Sequence, residues 1–264
     1  MSTVIYSKEG TFLSTTQNIA KITLNKPASL NALGPDLVAD LENAIDQALN
    51  DDDIRTIIIT GEGKAFCAGA DLKALSKLSP EEAHEYSIKG QALFRKIEQA
   101  PKAVIAAING ICLGGGLELA MACDIRVAAK EIKLGLPEVS LGLIPAWGGS
   151  QRLPYLVGMS KAREMILTGS MITSEEALEI GLVSKVVPAD ELQATAAFLA
   201  TKIGDNAPLA IKYAKEALNA SRTLSIEDGN KLELEIADKL AASEDLREGI
   251  TAFAEKRKPV FKGK

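Results

Sequence analysis

Short runs of apolar, mostly β-branched residues recur along the first three quarters of the chain and predict β-strands. These runs are Ile19–Leu24, Ile54–Thr60, Ala103–Ile108, Ile125–Ala128 and Val183–Val187. Between them lie segments with helical periodicity; in residues 35–49, for example, apolar side chains recur at the spacing of one helix face. Strands that alternate with helices predict an α/β fold with parallel strands.

Capping signals mark several helix boundaries. Ser79 before Pro80 predicts one helix start, and Thr173 predicts another, whose helix ends at Gly181. After residue 190 the strand signal disappears. Four helical segments follow, at Ala189–Ile203, Pro208–Ala220, Ser225–Ala242 and Glu244–Lys256. We therefore predict an α/β body over residues 1–195 and an all-helical region over residues 196–264.

Composition narrows the class of protein. Of the 264 residues, 47% are hydrophobic and only 4% are aromatic, so a large core must be built mainly from Ile, Leu, Val and Ala. The net charge is −5 and no basic stripe is present, which argues against a nucleic acid as the main partner. The longest apolar runs are shorter than a membrane span, and the N-terminus lacks a signal-peptide pattern. We expect a cytoplasmic protein with no membrane partner.

The cysteines and the histidine exclude further classes of site. Cys67, Cys112 and Cys123 are odd in number and lie in apolar stretches, which is typical of reduced core thiols in a cytosolic protein. The single histidine, His84, falls on a charged helix and is expected at the surface. A multi-histidine metal site and a histidine-based triad are therefore not expected, and we predict no metal.

Two glutamates stand in mostly apolar sequence, where an ionisable side chain needs a specific reason. Glu118 follows the run Gly114–Gly116, and Glu138 follows Pro137, twenty positions further along. Either acid alone can be explained as a first-turn residue that favours a helix N-terminus. Together with the glycine run, they favour a site in which two carboxyl groups move protons on and off a substrate.

Small residues at two places predict either a site or tight packing. The glycine run follows a predicted strand and precedes an alanine-rich helix, whose free N–H groups can hold a developing negative charge. The alternative is a loop that only needs positive φ angles. Ala65–Leu72 is also rich in small residues, either to point the Ala70 N–H into a site or to pack closely. Trp147, the only tryptophan, belongs either to the core or to a pocket wall.

Gly-Glu-Gly-Lys at residues 61–64 resembles a nucleotide-binding loop only superficially. Phe66 stands where a dinucleotide fingerprint has a third glycine, and Ala65 stands where a P-loop has Ser or Thr. We therefore interpret this segment as an ordinary turn.

Several segments, in the right order, resemble the motifs of the enoyl-CoA hydratase/isomerase (crotonase) superfamily. They are Leu24–Pro27 with Leu30–Leu33, Ala65–Asp71, Asn109–Asp124 and Pro137–Leu153. The resemblance covers nearly the whole chain. It implies a crotonase-like α/β spiral of ββα units that carries the site, followed by C-terminal helices that form a homo-oligomer, either a trimer or a dimer of trimers.

The resemblance also implies roles for individual residues. The N–H groups of Ala70 and Gly115 would form an oxyanion hole for a thioester oxygen, and Glu118 and Glu138 would be the catalytic acids. Coenzyme A is part of the substrate, so neither a cofactor nor a metal is implied. The residues expected to contact the acyl-CoA substrate are Ala28, Ala68, Asp71, Leu72, Lys73, Trp147, Phe253 and Lys256. The last two match tail positions that, in some members, act across a subunit interface.

Members with a glutamate at both catalytic positions are mostly hydratases, so reversible hydration of a 2-enoyl-CoA is the leading interpretation. Glu118 is expected to hold and deprotonate water, and Glu138 to supply a proton to C2; the alternative is a mechanism in which one glutamate performs both transfers. Trp147 stands where many relatives have small residues and is expected to favour short substrates such as crotonyl-CoA. The alternatives are a Δ3,Δ2-enoyl-CoA isomerase, a hydratase of a cyclic dienoyl-CoA, and an RNA-binding homologue, which the acidic net charge disfavours.

Overall fold

The structure, a computed structural model, describes residues 2–11 and 14–264. Within them the strands are β1 (Val4–Thr11), β2 (Ser14–Leu24), β3 (Ile54–Gly61), β4 (Ala65–Cys67), β5 (Ala103–Ile108), β6 (Ile111–Leu113), β7 (Ile125–Ala129), β8 (Lys133–Gly135), β9 (Met171–Thr173) and β10 (Lys185–Val187). The α-helices are α1 (Pro35–Asn50), α2 (Leu72–Leu75), α3 (Pro80–Glu98), α4 (Gly115–Ala122), α5 (Gly149–Thr168), α6 (Ser174–Glu179), α7 (Leu192–Gly204), α8 (Pro208–Ala220), α9 (Ile226–Ala241) and α10 (Glu244–Ala254). Short 3₁₀ helices cover Pro27–Ser29, Glu138–Leu141 and Ala189–Glu191.

The strands form two mostly parallel sheets. A six-stranded sheet has the order β1-β2-β3-β5-β7-β10, and within it β1 and β2 are antiparallel while the other neighbours are parallel. A four-stranded sheet has the order β4-β6-β8-β9, with β8 and β9 antiparallel. The predicted α/β class with parallel strands is confirmed.

Three successive units of two strands and a helical segment build the body. β3 and β4 precede α2 and α3, β5 and β6 precede α4, and β7 and β8 precede a 3₁₀ turn and α5. The first strand of each unit joins the six-stranded sheet and the second joins the four-stranded sheet. The chain therefore advances as a spiral of ββα units, as predicted.

Aliphatic side chains fill two cores, one on each face of the six-stranded sheet. Ile57 and Ile59 of β3 belong to the larger core, which also includes side chains of α1, α3 and α4. Ile58 points to the other face, because side chains alternate along a strand, and there it packs with Leu192 and Ala196 of α7. Helix α7 thus crosses residue 195 and belongs to this second core. The division of the chain at that residue stays a prediction.

Most predicted elements are present with small shifts in their limits. β5 and α8 have the predicted limits, and capping boxes at Ser79 and Thr173 start α3 and α6. The helix predicted over residues 189–203 begins instead as a 3₁₀ turn and becomes α-helical at Leu192.

Strand β1, helix α5 and the shortest strands were not predicted. Pro154 lies inside α5, and Gly158 interrupts it with φ 77° and ψ 156°. Both residues are helix-breaking signals in a sequence, although the surrounding structure accommodates them here. Strands β4, β6, β8 and β9 have three residues each, which is too short to display a period.

The remaining general expectations concern thiols, the histidine and membranes. The three cysteines are free and buried, as predicted, and His84 is exposed. Within residues 2–11 and 14–264, no helix combines the length and the apolar character that crossing a bilayer requires.

Candidate active site

Three neighbouring parallel strands, β4, β6 and β8, bring the predicted catalytic groups to one place. β4 leads to Ala70, β6 leads through the glycine run to Gly115 and Glu118, and β8 leads to Glu138. The carboxyl ends of neighbouring parallel strands lie at the same edge of a sheet, where crevices commonly bind ligands. All four residues line one cleft at this edge.

The glycine run permits the close approach of these segments. The Gly114 N–H donates to the Gly135 carbonyl at 2.9 Å, and its φ of 52° lies in the left-handed region that favours glycine. A Cβ atom on Gly114 would lie 3.2 Å from Oε1 of Glu138, and one on Gly116 would lie 2.1 Å from the Cys67 carbonyl oxygen. Both explanations of the glycines, positive φ and close approach, therefore apply.

Two residues that line the cleft, Ala70 and Gly115, have main-chain N–H groups without a protein acceptor in the described part of the chain. Leu33 donates to the Gly69 carbonyl at 2.8 Å and accepts from the Asp71 N–H at 2.9 Å, in a parallel bridge that skips the Ala70 N–H. The Gly115 N–H is the first of α4, where N–H groups have no acceptor within the helix. Among the described residues, neither amide donates to a protein group. A Cβ atom on Gly115 would lie 3.6 Å from Ala70 N, so the two amides are neighbours.

Glu118 lies in α4, a helix whose residues are all buried, and only 3% of its surface is exposed. Its Oε1 accepts hydrogen bonds from Trp147 N at 2.8 Å and from Gly149 N at 2.7 Å. Gly149 begins α5, so the carboxylate meets the positive end of that helix dipole. Burial raises the pKa of Glu118 to about 7, and the charge of Glu138 adds to this, whereas the two N–H groups and Arg152 act in the opposite direction.

Glu138 begins the 3₁₀ helix after β8 and is partly buried. Its Oε2 is buried and has no hydrogen-bond partner among the described residues. Burial raises the pKa of this carboxyl group as well. A buried carboxyl oxygen without a donor favours the protonated acid. The negative charge of Glu138 contributes to the raised pKa of Glu118, so ionisation of one acid makes ionisation of the other less favourable.

The cleft around these groups has a volume of about 240 Å³ and a mostly apolar lining. Its apolar walls include Leu75, Tyr86, Leu141, Ile144 and Trp147. Leu141 and Ile144 are largely exposed, so the outer part of the cleft presents an apolar surface to solvent. An apolar cleft with a few convergent polar groups suits a ligand with an apolar chain and one polar carbonyl.

Trp147 is both a core residue and a wall of the cleft, so the two alternatives that the sequence left open, core or pocket wall, both apply. It is 5% exposed, and its ring packs edge-to-face against Tyr86 and Phe94, with ring centroids 5.0 Å and 5.3 Å apart. A Cβ atom on Gly90 would lie 2.3 Å from the indole, so α3 accommodates the ring only because that residue is glycine. On its other side, indole Cε3 lies 3.7 Å from a Cβ placed on Gly115.

Two of the other predicted substrate contacts, Ala68 and Leu72, line the cleft. Asp71 is adjacent in sequence, and its carboxylate accepts the N–H groups of Lys73 and Ala74 and so caps α2. This cap holds the segment that follows Ala70.

The remaining predicted contacts, Ala28, Lys73, Phe253 and Lys256, do not line the cleft of the single chain. Phe253 lies near the end of α10 and is 87% exposed. The contact of these four residues with coenzyme A stays a prediction.

Sequence reasoning did not single out three residues that shape the site. The Tyr86 hydroxyl donates to the Leu33 carbonyl and so fixes the bridge beside Ala70. Its position on the apolar face of α3 was the only signal available. Arg152 donates to the Trp147 carbonyl at 3.0 Å and pairs with Glu98 at 2.9 Å.

The cleft contains carboxylates but not the donor set of a metal site. In the part of the chain that the structure describes, no group of three or more His, Cys, Asp or Glu side chains is placed to hold a metal ion.

Comparisons with known proteins agree with this geometry. The sequence model of the enoyl-CoA hydratase/isomerase family matches residues 14–264. A short-chain-enoyl-CoA hydratase of Clostridium acetobutylicum is 42% identical over 98% of this chain and 97% of that protein. A crotonyl-CoA hydratase of Syntrophomonas wolfei is 41% identical over 96% of this chain and 98% of that protein. The crystal structure of an enoyl-CoA hydratase from Bacillus anthracis, 41% identical, matches with a TM-score of 0.92 over 98% of this chain and 99% of that chain. The chain therefore belongs to the enoyl-CoA hydratase/isomerase family.

Proposed function

We propose that the protein catalyses the reversible hydration of a 2-enoyl-CoA thioester to a 3-hydroxyacyl-CoA. The observation that carries this proposal is the convergence, in one apolar cleft, of two acids with raised pKa and two free main-chain amides. The acids are Glu118 and Glu138, and the amides are those of Ala70 and Gly115. Membership of the family and the hydratases among its relatives support the same reaction.

The two acids divide the proton transfers. Oε1 of Glu118 is engaged by two N–H groups, which leaves Oε2 to hold a water molecule. The thioester makes C3 of the double bond electrophilic, so the water oxygen bonds to C3 while Glu118 takes a proton from it. Protonated Glu138 gives its proton to C2. In dehydration each acid performs the reverse transfer. Addition of water causes no net oxidation or reduction, so the proposal includes no redox cofactor. Coenzyme A enters as part of the substrate.

The two amides stabilise the charge that grows during this step. As the C3–O bond forms, negative charge develops on the thioester oxygen. The N–H groups of Ala70 and Gly115 are neighbours and have no protein acceptor among residues 2–11 and 14–264, so they can donate to that oxygen without breaking a bond within the protein. The Gly115 amide is also at the N-terminus of α4, whose dipole favours an anion there.

The pH dependence of hydration should reflect one proton on the acid pair. Below the Glu118 pKa of about 7, Glu118 is mostly protonated and cannot take the water proton. At high pH Glu138, whose pKa is also raised, is ionised and no acid remains for C2. We therefore expect kcat/KM for crotonyl-CoA to fall about tenfold per pH unit below neutrality and to fall again at high pH. The loss of enoyl-thioester absorbance measures this profile, and a flat profile across the acidic range would contradict the assigned roles.

Trp147 is expected to limit the length of the acyl chain. Trp147→Ala opens space beside Gly115, where the proposed reaction places the acyl group. Burial of each additional methylene group contributes about 0.8 kcal/mol, so the ratio of kcat/KM for hexenoyl-CoA to that for crotonyl-CoA should rise by about tenfold. Steady-state kinetics with both substrates measures the ratio.

Ile97→Ala provides the control for this substitution. Ile97 is fully buried in α3 but does not line the cleft, so its truncation costs stability without opening the acyl site. The ratio should stay at the wild-type value in this variant. A Trp147→Ala protein with the wild-type ratio would show that the indole does not set chain length.

A panel of acyl-CoA thioesters tests the reaction itself. We expect rapid hydration of crotonyl-CoA and dehydration of 3-hydroxybutyryl-CoA, with slower conversion of a 3-enoyl-CoA and of a cyclic dienoyl-CoA. A preference for the 3-enoyl-CoA would assign the protein as an isomerase, and a preference for the cyclic thioester would assign it as a ring hydratase. Salt-sensitive RNA binding in the absence of any turnover would instead favour a nucleic-acid role.

The C-terminal helices support a homo-oligomer, a trimer or a dimer of trimers. Helices α8, α9 and α10 leave large apolar side chains exposed in the single chain, notably Leu218, Ile226, Leu234, Ile250 and Phe253. Surfaces of this kind mark subunit contacts.

We also propose a cytoplasmic location, because the three free buried thiols suit a reducing compartment.

A further inference from the structure

The turn that holds Glu118 is itself held by an arginine. Trp147 and Gly149 donate their N–H groups to Glu118, and Gly148 lies between them with φ 107°. Two consecutive glycines make this turn conformationally permissive, so its own sequence does little to fix it. Arg152 supplies the constraint, because its Nη1 donates to the Trp147 carbonyl at 3.0 Å. A Cβ atom on Gly148 would lie 2.1 Å from that nitrogen, so the guanidinium lies directly against the turn.

Glu98, at the end of α3, fixes the arginine in turn. Nε of Arg152 donates to Oε1 of Glu98 at 3.1 Å, and Nη2 donates to Oε2 at 2.9 Å. This paired geometry orients the planar guanidinium, which a single contact would not do. Burial acts to raise the pKa of Glu98, but Arg152 and Arg222 outweigh burial and lower it, so the carboxyl group stays ionised near neutral pH.

The same glutamate connects the site to the C-terminal helices. Arg222, in the turn between α8 and α9, donates to Oε1 of Glu98, and the Asn219 side chain donates to the Glu98 carbonyl at 3.0 Å. Tyr155 of α5 donates to the Arg222 carbonyl at 3.3 Å. Glu98, Arg152 and Arg222 thus form a charged cluster that joins α3, α5 and the α8–α9 turn next to residues 147–149.

We propose that Glu98 and Arg152 are positioning residues, which hold the Trp147 carbonyl so that the Trp147 and Gly149 amides keep Glu118 in place for the water it activates. This inference rests on the proposed function for the role of Glu118, but the position of the turn can be measured without substrate. Arg222 contacts the same Glu98 carboxylate from the turn between α8 and α9.

Arg152→Gln and Glu98→Gln test the proposal through kinetics. Neither residue lines the cleft, so KM for crotonyl-CoA should stay within about twofold, whereas kcat should fall by about 10-fold to 100-fold, the size expected from a small displacement of a catalytic group. The charged groups that act on Glu118 are Glu138 and Arg152. Loss of the arginine charge should therefore move the acidic limb of the pH profile to higher pH.

Arg152→Lys separates charge from geometry. Lysine keeps the positive charge but cannot pair with both oxygens of Glu98 while contacting the Trp147 carbonyl. We expect the acidic limb to return towards its wild-type position while kcat stays low. Full recovery of kcat in this variant would show that the charge alone matters and would overturn the positioning role.

The emission of Trp147 reports on the turn directly, because it is the only tryptophan in the chain. In Glu98→Gln and Arg152→Gln the emission should shift to longer wavelength and become easier to quench. Asp124→Asn is the matched control, because it disrupts another partly buried ion pair, with Lys215 at 2.7 Å, that does not contact the turn. This control should lose stability but keep the wild-type emission and kcat.

The outcomes separate this inference from the proposed reaction. Folded Glu98→Gln and Arg152→Gln proteins with wild-type emission and kcat, or with losses equal to those of Asp124→Asn, would overturn the positioning role. If Arg152→Gln does not fold, the near-isosteric Glu98→Gln decides the question. If the wild type does not hydrate crotonyl-CoA, the proposed function fails, and the emission of the variants still shows whether Glu98 and Arg152 hold the turn.

Discussion

Glu138→Gln is expected to fold like the wild type and to lose crotonyl-CoA hydration by a factor of about 10² to 10⁴, the range that a positioned acid contributes. The amide has nearly the same size as the carboxyl group but cannot deliver a proton to C2. Glu138 is partly buried on a four-residue 3₁₀ turn, and its Oε2 has no partner among the described residues, so the change breaks no hydrogen bond at that atom. Stability should therefore stay near the wild-type value while kcat falls.

Glu118→Gln provides the companion measurement. It should lose a similar share of kcat but should not lose stability, because burial raises the pKa of Glu118 despite the Trp147 and Gly149 amides, so the ionised carboxyl group destabilises the fold relative to a neutral amide. Thermal unfolding and steady-state kinetics on the two variants measure both quantities.

Exchange experiments refine the comparison of the two acids. If Glu138 protonates C2, then Glu138→Gln should also lose the exchange of the C2 hydrogen of a saturated acyl-CoA with solvent, which NMR can follow. Retention of more than about a tenth of wild-type hydration in Glu138→Gln would contradict its role as an acid, because a general acid normally contributes far more.

Replacement of Ala70 by lactic acid is expected to lower kcat by about 10² to 10³, the loss that follows removal of one oxyanion-hole donor. The substitution converts the N–H of residue 70 into an ester oxygen and keeps the methyl side chain. Since this N–H donates to no protein group among the described residues, its removal should cost little stability. Hydration of crotonyl-CoA and thermal unfolding of the semisynthetic protein measure the two quantities.

The same ester at Ala32 is the control. The Ala32 N–H donates to the Ser29 carbonyl at 3.1 Å, outside the cleft. Its loss should cost about 1 kcal/mol of stability and leave kcat unchanged. An ester at Ala70 that is as active as the ester at Ala32 would exclude the Ala70 amide from the oxyanion hole.

The sequence predicted the parts of the fold that have strong local signals. Regular apolar runs such as Ile54–Thr60 and capping residues such as Ser79 determined elements that the structure contains. Helix α5 was missed because Pro154 and Gly158 are tolerated there by tertiary packing, which no local pattern reveals. The three-residue strands were missed because pairing with neighbours distant in sequence, rather than residue preference, defines them.

The site was predictable to a similar extent. Glu118 and Glu138 were conspicuous because charged residues in apolar sequence need a reason, and stretches of small residues marked the segments that carry the Ala70 and Gly115 amides. Glu98 gave no such signal, because it ends a helix rich in charged residues and its partner Arg152 is 54 positions away. Contacts of that kind arise only when the chain is folded. The resemblance to a known family supplied the reaction, whereas the residues alone indicated only paired acids and a cradle for negative charge.

The proposed catalytic groups come from three successive ββα units: Ala70 from the first, Gly115 and Glu118 from the second, and Glu138 from the third. In the proposed reaction, binding of the thioester oxygen is consequently encoded in the first two units, and the proton donor for C2 is encoded in the third. A substitution of Glu138 in the short 3₁₀ turn should change how C2 is protonated and leave the two amides that stabilise the thioester oxygen in place. The reaction can therefore change through substitutions in the third unit, while the Ala70 and Gly115 amides of the first two units still bind the thioester carbonyl.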